Sequence, residues 1–167
     1  MPFTFFILSF SFCLSLFAAQ FPPLVRPFTE LEELETVEGR AFALRSDETA
    51  PLQIVKIDEI HSPDGRARFA YFVRNRSTTD VRGWTVVAGI VGTDGTVKAT
   101  QPMKDSNLKP GQTRRKEITF RTAVPSISDA VAFAIAEIQA AADDKPWRID
   151  ELALETIMGQ AARSRRR

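Results

Sequence analysis

Cysteine and histidine are nearly absent from these 167 residues, with one of each. A single Cys excludes an internal disulfide framework. One His and one Cys also fall short of the four ligands that a structural zinc site usually takes. Charge of one sign is not in excess, since 22 Lys plus Arg face 21 Asp plus Glu for a net +1. No strong global field therefore draws the chain to nucleic acid or to a membrane surface. Ten Pro and eight Gly are too few for a collagen-like or low-complexity chain. Phosphate loops and dinucleotide fingerprints are missing as well, because the glycines from Gly89 to Gly95 match the spacing of neither. What remains is 44% hydrophobic and suits one domain of ordinary size.

The beginning of the chain differs in composition from the rest. Eight of the 13 Phe fall in the first 28 residues, and no charged side chain precedes Arg26. Phe5 to Phe17 is an apolar run, and Ala18 and Ala19 follow it as small residues suited to cleavage. Residues 1–19 read as a secretory signal peptide. The alternative is an uncleaved anchor, since the uncharged stretch is long enough to span a bilayer. Cleavage would remove Cys13, the only thiol, and a cysteine-free exported chain points to a bacterial periplasmic or secreted protein. Membrane contact is expected only if the segment is retained. Residues 20–39 read as a linker, Pro-rich at first and then acidic, with Glu30, Glu32, Glu33, Glu35 and Glu38. Leu31, Leu34 and Val37 recur at spacings of three, so that stretch is read as a solvated helix or tether.

The middle of the chain has strand period. Phe42 and Leu44 fit a short first strand, and Leu52–Ile60 fits a second. Phe69, Tyr71 and Val73 alternate with Arg68, Ala70, Phe72 and Arg74. Trp84–Val91 is nearly continuous in apolar residues, as in a central strand covered on both faces. Asp94-Gly95 signals a hairpin, with a short return strand from Val97 to Thr100. After a turn at Lys109-Pro110-Gly111, Ile118 and Phe120 alternate with polar residues. Val131, Phe133 and Ile135 alternate with Ala132, Ala134 and Ala136, which favours strand over helix despite the alanines. The expected fold is all-β, an antiparallel sandwich of about seven strands over residues 40–145. Phe69, Tyr71, Val73, Trp84, Val86, Ile118, Phe120, Phe133 and Ile135 are its predicted core. Residues 146–167 read as a short helix opened by Pro146 and a basic tail.

Residues 71–97, followed by Leu108-Lys109-Pro110-Gly111-Gln112-Thr113, resemble immunoglobulin-like domains of exported bacterial proteins. The likeness rests on Val73-x-Asn75, the long strand after it, Asp94-Gly95 and Leu108-x-Pro110-Gly111, and spans about residues 52–147. It implies a fold, since these motifs are turn chemistry rather than catalytic signatures. The disulfide and core Trp of antibody domains do not occur as a set.

Chemistry-bearing residues are sparse. His61 is the only imidazole and sits in a turn-like stretch without a surrounding motif. Asp58-Glu59 would point to opposite faces of a strand, and Asp143-Asp144 is read as leading into the terminal helix. Asn75-Arg76-Ser77 fits a glycosylation acceptor, though the turn reading is preferred. Arg66, Arg68 and Arg74 share one strand face, and Arg114, Arg115 and Lys116 open another strand. Such residues either solvate a face or meet an anionic partner. The expectation is a noncatalytic exported binding or structural module of a bacterial envelope, without cofactor or metal. Its partner would be an envelope protein or glycan, contacted through Arg66, Arg68 and Arg74, and nucleic acid is disfavoured. The alternatives are an envelope hydrolase using surface carboxylates and a membrane-anchored assembly subunit.

Overall fold

The computed structural model describes residues 31–32, 40–46, 50–63, 66–120, 125–140 and 147–165. The signal or anchor reading, most of the acidic linker and Asp143-Asp144 lie outside these residues. Nine strand segments and one helix are described: β1 (Leu31–Glu32), β2 (Ala41–Leu44), β3 (Leu52–Ile60), β4 (Arg68–Asn75), β5 (Val81–Val91), β6 (Val97–Leu108), β7 (Thr113–Thr119), β8 (Ala130–Ala140), β9 (Trp147–Arg148) and α1 (Glu151–Ser164). The fold is all-β with one short C-terminal helix. One sheet has the order β1-β2-β8-β5-β6, with β9 also beside β8, and the other is β3-β4-β7.

The strand alternation decides which side chains meet between the sheets. All nine predicted core residues are buried there. Phe133 of β8 packs against Phe69 and Tyr71 of β4, with ring centroids 5.9 and 5.7 Å apart. Burial of such side chains is the main force holding the two sheets face to face.

The other face of the larger sheet is covered by α1. Ala130, Ala132 and Ala134 of β8 point that way and form a second core with Phe42, Leu44, Leu154, Met158, Ala161 and Ala162. The small side chains let the helix approach closely. A Cβ on Gly89 of β5 would stand 2.7 Å from the Met158 sulfur, a distance real Cβ atoms do not tolerate.

Several expectations change. β6 runs to Leu108 rather than ending at Thr100, pairing with β5 along nearly its whole length. Its polar residues are those of an edge strand, which hid the period. The sheets are not wholly antiparallel, because β2 pairs parallel with β8 through Ala41–Ala43. Chain connectivity permits this, since β2 leads across to β3 in the other sheet. Leu31–Glu32 is a strand paired antiparallel with β2, not part of a helix. The terminal helix starts at Glu151, after Trp147–Arg148 has added to β8. Asp150 is therefore the N-cap, its carboxylate accepting from the Leu152 N–H at 3.2 Å.

Candidate functional site

The turns fix where the functional side chains point. At the β5–β6 hairpin, Asp94 accepts from the Thr96 hydroxyl at 2.7 Å and from its N–H at 3.0 Å, which holds its carboxyl below the usual range. Gly95 adopts φ +82° there, a conformation natural to glycine. At the β4–β5 corner, where the chain passes between sheets, Asn75 is fully buried. Its Nδ2 donates to the Thr79 and Leu108 carbonyls at 2.8 and 2.9 Å, and its Oδ1 accepts from Ser77 N–H and Oγ. Gly111 N–H donates to the Asn75 carbonyl at 2.9 Å, tying the β6–β7 turn to the same corner. Asn75 is a structural plug, in keeping with the turn reading of its tripeptide.

The outer face of the three-stranded sheet carries the charged residues singled out in the sequence. Register sets them in cross-strand rows: Gln53–Arg74–Thr113, Lys56–Phe72–Arg115, Asp58–Ala70–Glu117 and Ile60–Arg68–Thr119. Arg66 is exposed two residues before β4. Lys56 stands 5.6 Å from the Phe72 ring centroid and pairs with Asp58 at 2.9 Å. Glu117 accepts from both Arg68 and Arg115, and the two guanidinium groups hold its carboxyl below the usual range. Arg74 is exposed and makes no ion pair among the described residues.

The six basic residues do not form one patch. Arg114 and Lys116 alternate with Arg115 and turn to the opposite side, onto Asp105 of β6, at 3.4 and 2.9 Å. Arg114 also lies 5.7 Å from the Trp84 ring centroid and donates to the Ser106 and Asn107 carbonyls. Burial alone would raise the Asp105 carboxyl, but Lys116, the Ser106 N–H and Arg114 outweigh it and the net direction is down. Beside it, burial first and the Asp105 charge second push the Tyr71 phenol up to about 12. Sequence reasoning missed this inter-sheet cluster. The alternation of Arg114, Arg115 and Lys116 was its available signal.

The remaining sequence candidates stand apart. His61 is exposed and has no hydrogen-bond or ion-pair partner among the described residues. Asp58 and Glu59 do diverge, Asp58 to Lys56 and Glu59 to Arg40. Among the described residues no group of three His, Cys, Asp or Glu is placed to hold a metal ion. No described helix is long and apolar enough to cross a membrane.

No protein-family model matches the chain, and no curated protein sequence matches it. Among solved structures, Campylobacter jejuni cj0090 is similar at 12% identity, over 57% of this chain and 97% of that one, with a TM-score of 0.33.

Proposed function

We propose that the chain is a noncatalytic, exported binding or structural module of a bacterial envelope, built as an immunoglobulin-like β-sandwich. Its contact surface is the outer face of the three-stranded sheet, and its partner is an acidic envelope component, glycan or protein. The observation that carries this reading is the asymmetry of the two outer faces. One is roofed by α1, whereas the other presents Lys56, Arg68, Arg74 and Arg115 around Phe72, with Asp58 and Glu117 as its carboxylates. A cationic excess of this kind steers an anionic partner and orients it.

Strand order supports the immunoglobulin-like topology. β4 and β5 lie in different sheets, as do β6 and β7, and β7 and β8, which is the crossing pattern of Greek-key sandwiches. The parallel β2 and the helical layer would be additions to that plan. The noncatalytic reading draws on the sequence, in which His61 is the only imidazole and no catalytic motif surrounds it. Export rests on the Phe-rich segment before Arg26. N-terminal sequencing of the mature protein tests it, a start near Gln20 supporting cleavage and an intact Met1 in the membrane pellet supporting the anchor. Binding to polygalacturonate, with neutral dextran as control, tests the face. Equal retention on both polymers would contradict it.

A further inference from the structure

Between the first turns of α1 and the strands β5, β6 and β8 lies a cleft of about 220 Å3. Val87, Pro102, Ala136, Ile149 and Leu154 give it apolar walls, Thr100 adds one hydroxyl, and Glu151 and Glu155 stand at the rim. It exists because Met158, seated over Gly89, holds the later turns of the helix against the sheet. We propose that this cleft binds a small molecule made of one ring-sized apolar group and a protonated amine, the ring between Val87, Pro102 and Leu154 and the amine against Glu151 and Glu155.

Size and charge both lead to that class. An apolar cavity of about 150 Å3 accommodates benzene, and drug-sized ligands fill roughly 300–1,000 Å3. This space lies between the two and suits one ring with a short chain. The glutamates are the second observation. Asp58, Glu59, Asp105, Glu117, Asp129 and Glu137 each have a Lys or Arg partner. Glu151 and Glu155 have none among the described residues; Asp80 and Asp150 likewise have none, but only the two glutamates line the cleft, on one side of the helix at a spacing of four. Glu151 in the first turn complements the helix dipole. Glu155 lies beyond the reach of that field and is half-buried beside the apolar wall, so its charge is left for a ligand. Lys104, two residues past Pro102 on the same face, pairs with neither glutamate.

The test is an NMR titration of the full chain, following the methyl signals of Val87, Ile149 and Leu154 with phenethylamine and, separately, phenylacetate. Saturable shifts with phenethylamine, and binding of phenylacetate weaker by about fivefold or more, are expected for one exposed and one half-buried carboxylate. Glu151→Gln with Glu155→Gln, a surface change that leaves the core intact, should erase the preference between the probes. Ala136→Leu should weaken both probes by occupying the floor. Absence of saturable shifts with phenethylamine, equal affinity for the two probes, or a preference that survives both Gln substitutions would overturn the site.

Discussion

Gly159 of α1 lies directly on the carbonyl of Gly95, the tip of the β5–β6 hairpin, so closely that a Cβ on Gly159 would overlap that oxygen. The contact joins the last turns of the helix to the strongest turn in the sequence. It explains a glycine inside a helix, where Ala would otherwise be favoured by about 1 kcal/mol.

Gly159→Ala therefore has a sign that decides between two accounts. Propensity alone predicts stabilisation of about 1 kcal/mol. The overlap with Gly95 predicts a net loss of about 1–3 kcal/mol, as for other overpacked sites. Urea unfolding followed by circular dichroism reads the difference.

Asn75→Ala removes four hydrogen bonds from a fully buried corner: the Thr79 carbonyl keeps the Ser77 hydroxyl at 3.0 Å, but the Leu108 carbonyl and the Ser77 N–H lose their Asn75 partner. Each buried group left unsatisfied costs about 1–3 kcal/mol, so a loss of about 2 kcal/mol or more is expected. A loss within about 0.5 kcal/mol, typical of surface substitutions, would contradict the plug.

Asp129 gives the acid side of the stability profile. Its burial would raise the carboxyl, but Lys98 at 2.8 Å and the Ser126 N–H outweigh that, and the net direction is down. A carboxyl depressed in the folded state contributes stability that is complete above its ordinary value of 3.8 and is lost as pH falls through the lower folded value. Asp129→Asn should lower stability at neutral pH and flatten the decline below about pH 4. Parallel profiles for the two proteins would contradict this.

Tyr71 is the only tyrosine, so phenolate absorbance reports it alone. With the phenol pushed up to about 12, mainly by burial, little phenolate should form at its ordinary value of 10. A tyrosine raised in the folded state stabilises the fold below 10, and that contribution is lost as pH rises toward 12. Asp105→Asn should move the titration down only slightly, because the charge is the smaller cause. A midpoint near 10 in folded protein would place Tyr71 outside the core.

Much of the sheet framework was legible because apolar alternation is a direct record of a face turned inward. Leu52–Ile60 was bounded in the sequence as it is in β3, and the Ala132, Ala134 and Ala136 alternation marked β8 despite alanine's helix preference. β6 was only partly visible, since an edge strand with one solvated face carries polar residues at most positions. The parallel β2–β8 pairing and β9 depend on contacts far along the chain, which local pattern does not encode. At the candidate surface, spacing placed Arg68 and Arg74 on one face of β4. It did not reveal that Glu117, 49 residues away from Arg68, would neutralise one of them. Nor did it reveal that Arg114 and Lys116 turn inward to Asp105.

The outer face of the three-stranded sheet is the centre of the functional account, and one measurement bears on it most directly. Polygalacturonate isotherms at two salt concentrations compare wild type with the triple Arg66→Ala, Arg68→Ala, Arg74→Ala variant, whose folding is checked by circular dichroism. Each cation engaged by a polyanion adds about one to the slope of log affinity against log salt. Arg68 already serves Glu117, whereas Arg74 makes no ion pair among the described residues, so the account predicts weaker binding and a slope shallower by at least about one for the triple variant. Equal affinities and equal slopes would contradict it.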